Sequence, residues 1–183
     1  MSALNVAEVV KESLWHLDAE LEKEGWDAPP RLLMMLPTTV EDVGLAIQIK
    51  PLTGWDVVVP MANSAQRALG AMVHVYAEMP TELLRGGIPE NLFALAFVSE
   101  SWMLKVDYKD EGAAASALKA GREHKINEDS RRVEARVIYL QPVGGPSAML
   151  MHERDGVVEL QEGDTAGGEI PRLLAELVTA LTR

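Results

Sequence analysis

The stretch Leu92–Asp107, LFALAFVSESWMLKVD, limits the possible folds more than any other part of this chain. Pro89 precedes it, and the polar run Asp107-Tyr108-Lys109-Asp110 closes it. Its first half is apolar at odd and even positions alike and rich in aromatic and branched side chains. A strand sends alternate side chains to opposite faces of its sheet, so such a run suits a central strand covered on both faces. Three polar residues, Ser99, Glu100 and Ser101, stand in its middle. A carboxylate in such a place is costly to bury unless it is paired or hydrogen-bonded. Glu100 is therefore the first residue to consider as part of a site.

The flanking chain supplies partners for that strand. Val6, Val10, Leu14, Leu17 and Leu21 recur at helical spacing, with Glu12, Asp18, Glu20 and Glu22 read as lying mostly off the stripe, so residues 6–24 form a helix. Asn5 with Glu8 resembles a capping pair, and Gly25 fits the helix end. Pro29-Pro30 then directs an extended entry into a strand over 31–37. Val43, Leu45, Ile47 and Ile49 alternate with Gly44, Ala46, Gln48 and Lys50, which predicts a strand with one buried face. After the turn Pro51–Gly54, Trp55 to Val59 reads as a third short strand completing a meander.

A helix over 64–79 carries Ala65, Leu69, Met72, Val73 and Tyr76, with Asn63 and Gln66 as its cap pair, and ends at Pro80; one further helical turn covers 81–87. Residues 108–130 read as an exposed excursion between two long strands. Arg131–Gln141 is the second of these, with Val133, Ala135 and Val137 on one side and Arg132, Glu134 and Arg136 on the other. Ala148–Glu153 and Val157–Gln161 flank Arg154-Asp155-Gly156, a short-range hairpin signal. Glu162–Gly168 is a polar loop. A last helix begins near Pro171, with Ile170, Leu173, Leu174, Leu177, Val178 and Leu181 as a broad apolar stripe. The expectation is one α+β domain over residues 1–183. Its mainly antiparallel, twisted sheet has six to seven strands, with N-terminal, middle and C-terminal helices packed on one face or at its ends.

Composition restricts the function classes. The 183 residues carry a formal net charge of −11, which disfavours nucleic acid and anionic membrane as partners. With no cysteine, disulfides, zinc–thiolate sites and cysteine nucleophiles are excluded. No basic-then-apolar leader and no membrane-length apolar run are evident, so a cytoplasmic location is expected. His16, His74, His124 and His152 show no metal-ligand spacing, and no nucleophile-elbow, P-loop or dinucleotide-binding motif occurs, so no cofactor or metal is expected. The paired methionines Met34-Met35 and Met149 with Met151 read as core. Trp15 and Trp26 read equally as interface anchors or as caps on the core. Basic residues from Lys119 to Arg136 are interleaved with Glu123, Glu128, Asp129 and Glu134, which reads as a solvated face.

One constellation remains. If the strand 131–141 pairs antiparallel with the central one, Arg132, Glu134 and Arg136 meet Glu100 and Trp102, which share a face. This polar patch is either a ligand or acid–base site or an Arg–Glu ladder that stabilises the sheet. Three functional expectations follow. The first is a non-enzymatic cytosolic binding or adaptor domain, engaging a protein partner or a second copy of itself. The second is a small-ligand protein or enzyme built on Glu100 and the arginine–glutamate cluster. The third is an accessory or structural component of a larger assembly, viral ones included.

Overall fold

The computed structural model describes residues 6–40, 44–105, 129–163 and 168–183, with isolated positions between 112 and 126. A six-stranded antiparallel sheet organises them, in the order β2-β1-β3-β4-β5-β6. The strands are β1 (Arg31–Val40), β2 (Gly44–Pro51), β3 (Ala94–Leu104), β4 (Arg132–Pro142), β5 (Ala148–Glu153) and β6 (Val158–Glu162). Five helices accompany them: α1 (Val6–Glu24), α2 (Trp55–Val58), α3 (Ala65–Glu78), α4 (Thr81–Gly87) and α5 (Glu169–Leu181). A 3-10 turn over Val59–Met61 follows α2. The chain is of the α+β class. Among the described residues, no helix is long and apolar enough to cross a membrane.

Strand β3 is the central element that the apolar run predicts. Ala94 to Val98 are all buried, and their alternation divides the core in two. Leu95 and Phe97 join Leu32 and Met34 of β1 beneath α3 and α5. Ala94, Ala96 and Val98 join Leu33 and Met35 of β1, Ile138 and Leu140 of β4, and Leu150 of β5 beneath α1. The paired methionines Met34 and Met35 are both core, one on each side. The helices are thus divided between the two faces, not gathered on one face or at the ends. Val10, Leu14, Leu17 and Leu21 bind α1 to its face, and full burial of a leucine side chain contributes about 1.5–3 kcal/mol.

One strand expectation is overturned. Trp55–Val58 is helical, and the chain tightens into a 3-10 turn at Val59–Met61. Three consecutive valines favour a strand by propensity, but tertiary context decides here. Gly54 takes a left-handed conformation (φ 85°) that starts the helix. The Trp55 indole then enters the core, its Nε1–H donating to the Pro30 carbonyl at 2.7 Å. The sheet is correspondingly a hairpin, β1–β2, extended by β3 on the other side of β1, and not a three-strand meander.

Helix ends follow local chemistry. Ser64, not Asn63, caps α3, its Oγ accepting from the Arg67 N–H at 3.2 Å. At the other end the Arg183 guanidinium donates to the carbonyls of Tyr76, Ala77 and Met79, satisfying groups that a helix end leaves open. Gly156 (φ 97°) makes the β5–β6 turn, and Gly25 (φ 95°) ends α1 as expected. The capping role expected of Asn5 and most of the 108–130 excursion lie outside the described residues. At the excursion's C-terminal base, the Arg131 side chain and backbone N–H hold the Asp129 carboxyl down at about 2.

Candidate functional site

The register of β3 against β4 brings together all five residues of the predicted patch. Glu100 lies opposite Arg136, Trp102 opposite Glu134, and Leu104 opposite Arg132. Their side chains share the α1 face of the sheet, because each stands an even number of residues from Val98 or Ile138.

Glu100 and Arg136 form the centre. Arg136 is 1% exposed, and its guanidinium is engaged on three sides. Nε and Nη2 donate to Glu100 Oε1 at 3.0 and 2.9 Å. Nη1 reaches Glu22 Oε2 at 3.3 Å, and Nη2 also donates to the Gly25 carbonyl at 2.5 Å. The other Glu100 oxygen, Oε2, accepts the backbone N–H groups of Asp27 at 2.5 Å and Ala28 at 3.1 Å. Asp27 is the one non-glycine residue with positive φ (69°) among the described residues. The bond to Glu100 helps hold that conformation. The pair therefore fastens the α1–β1 connection onto the middle of the sheet.

Aromatic and histidine groups close the cluster. The Trp26 ring lies beneath both the Arg136 and Arg154 guanidinium carbons, at 4.6 and 5.4 Å, and meets the His152 ring edge-on at 5.8 Å. His152 Nδ1 lies 3.0 and 2.9 Å from the two Asp18 oxygens. An ionised carboxylate only accepts, so Nδ1 carries the proton. Arg154 bridges Glu134 at 2.6 Å and Asp27 at 3.2 Å. These bonds to Glu134 and Asp27 raise the Arg154 pKa. Of the two tryptophans near the first helix, Trp26 covers the buried arginine, whereas Trp15 is 41% exposed on the outer side of α1.

Arg132 differs from its neighbours. Its guanidinium carbon stands 4.7 Å over the Trp102 ring, and no carboxylate pairs with it among the described residues. Trp102 is 44% exposed. The outer end of the β3–β4 ribbon thus presents an aromatic ring and, among the described residues, a cation with no carboxylate partner side by side.

Sequence reasoning missed Asp18, Glu22, Trp26, His152 and Arg154 as members of the cluster. Two of them left a signal. Asp18 falls at the i+4 position from Leu14, within the buried stripe of α1, and His152 shares its parity with Ala148 and Leu150 on β5. Each is a polar residue on an apolar face.

Chemically, the cluster is saturated. Among the described residues no buried side-chain nitrogen or oxygen lacks a partner, and no group of three or more His, Asp or Glu side chains could hold a metal ion. Cavities among the described residues lie away from this cluster. One of about 290 Å³ is bounded by Leu84, Ile88 and Leu181. Another, about 340 Å³ and mainly apolar, lies between Val10, Pro142 and Ala148.

Glu100→Gln lowers stability rather than leaving the fold unchanged. The amide nitrogen would face either the Arg136 N–H groups or the backbone N–H groups of Asp27 and Ala28, donor against donor. Hydrogen bonds to charged groups contribute about 1.5–3 kcal/mol each, so chemical denaturation should show a loss of that order. An unchanged denaturation midpoint would contradict the structural role.

Fold and cluster together define a two-cored α+β domain with an antiparallel sheet and a buried arginine–carboxylate joint. In comparisons with family models, curated proteins and solved structures, no match to this chain was found.

Proposed function

We propose that this chain is a protein-binding domain that associates with a second copy of itself, and that its contact surface is the outer end of the β3–β4 ribbon. The observation that carries the reading is the stacking of Arg132 on exposed Trp102, with no carboxylate beside Arg132 among the described residues. Tryptophan and arginine are the residues most enriched at the energetic centres of protein interfaces. An arginine already stacked on a ring loses less side-chain freedom on binding than a free one.

The alternative, ligand chemistry at Glu100, has less support. Both Glu100 oxygens accept bonds from within the chain, and its Arg136 partner is buried. A reacting group needs access to its substrate, and here α1, Trp26 and the Gly25–Ala28 connection occupy that side.

Light scattering across a concentration series tests the reading. The intact chain is expected to show a concentration-dependent dimer, and Trp102→Ala with Arg132→Ala is expected to weaken it by about tenfold or more without a comparable loss of thermal stability. A monomer that co-purifies with a small molecule would instead favour the ligand-binding alternative.

A further inference from the structure

Among the described residues, β3 has no strand neighbour on its β1 side beyond Val98. β1 begins at Arg31, opposite Val98, and is preceded by Pro29 and Pro30, which carry no N–H. The register identifies the free backbone groups. The Lys105 N–H donates to the Arg131 carbonyl, next to the Leu104–Arg132 pair. Odd-numbered residues of this stretch therefore turn their N–H and C=O groups toward β4, and even-numbered ones turn away from it. Among the described residues, no backbone group pairs with the outward ones of Trp102 and Leu104.

Exposed edges normally carry charge, proline or a bulge that discourages another strand from adding. The two outer strands do so: β2 has Lys50 and Pro51, and β6 has Glu159 and Glu162. The free stretch of β3 instead carries Trp102, Met103 and Leu104 in succession.

We propose that two copies of this chain pair antiparallel along this stretch of β3, across a two-fold axis near Met103, joining their sheets into one. The inference rests on the binding-domain reading above and specifies its contact. With the axis at Met103, Trp102 of each copy lies opposite Leu104 of the other. Their outward N–H and C=O groups then bond reciprocally, and the Trp102 ring gains an aliphatic cross-strand neighbour. An isologous contact of this kind is self-complementary by construction.

Charge selects the same place. The described stretches at this end, 99–105 and 129–136, hold four Lys or Arg (Lys105, Arg131, Arg132, Arg136) against three Asp or Glu (Glu100, Asp129, Glu134), in a chain whose net charge is −11. Two copies of an acidic protein approach with least repulsion through surface that does not share the excess of negative charge.

The test is Leu104→Pro, compared with Leu104→Ala, in the full chain. Proline at 104 removes only the outward N–H and keeps the ladder to β4, whereas alanine keeps the N–H. Sedimentation is expected to show the proline variant's dimer dissociation constant raised by about tenfold or more, with a smaller change for alanine. In the unmutated chain, hydrogen exchange at the Trp102 and Leu104 amides is expected to slow as concentration rises; this readout holds even if the proline variant fails to fold. A dimer in which both amides stay fast-exchanging overturns the strand pairing but leaves self-association standing. A monomer at every concentration overturns both.

Discussion

Arg136→Ala lowers stability by about 3–5 kcal/mol, the range for removing one member of a buried ion pair. In a chain of this length that corresponds to a fall in Tm of roughly 6–20 °C. Removing the guanidinium leaves the Glu100 carboxylate, 9% exposed, without its cation. The Gly25 carbonyl and Trp26 ring lose their contacts at the same time. The loss is a property of the pair. Arg136→Ala combined with Glu100→Ala should therefore cost less than the two single changes added, by about 0.5–3 kcal/mol. Strictly additive losses in urea denaturation would show that the two groups do not act together. Since Arg136 ties β4 to the end of α1, proteolysis of the variant should begin near residues 25–30.

Phe97→Ala has an effect of similar size by a different mechanism. Phe97 is 1% exposed at the centre of the middle strand. Its ring meets the Trp55 ring edge-on at 5.8 Å and an interplanar angle of 89°. Truncating a buried phenylalanine costs about 3–5 kcal/mol, part lost transfer energy and part residual cavity. β1 and β4 hold the β3 backbone on both sides here, and α3 and α5 pack over the site, so collapse into the space is restricted. Denaturant unfolding should show a lower midpoint with an unchanged slope. The loss should be insensitive to salt. A loss below about 1 kcal/mol would mean that the core refills the space.

These two residues also mark how far the sequence is legible. The run Leu92–Val98, apolar at both parities, can be satisfied only between two covered faces, and that requirement alone marks β3 as a middle strand. The alternation in 131–141 places Arg132, Glu134 and Arg136 on one side, and antiparallel pairing brings them to Glu100 and Trp102. Local signals also locate the Gly25 helix end and the Asp155-Gly156 turn. The path of the connections is not legible. Nothing in α1 says that it crosses to the face opposite α3 and α5, since an apolar stripe fits either side of a sheet. The segment 55–59 misleads for a related reason: Val57, Val58 and Val59 favour extended backbone, but the Trp55 indole reaches the Pro30 carbonyl only if the chain coils. Asp18 and His152 are visible as polar residues on buried faces, yet only the packing of α1 over β5 makes them partners.

The packing of α1 has a consequence for synthesis on the ribosome. The helix is translated before much of its covering, since the strands on its apolar side include β4 and β5, which end at Pro142 and Glu153. At about 5–20 residues per second, roughly 6–26 s separate the emergence of Glu24 from that of Glu153. Until the end of that interval the nascent chain displays Val10, Leu14, Leu17 and Leu21 without the β4 and β5 residues that complete the face they pack on. Substitutions that weaken this helix's apolar stripe should therefore alter yield during translation differently from refolding of the finished chain, in which helix and sheet are present together from the start.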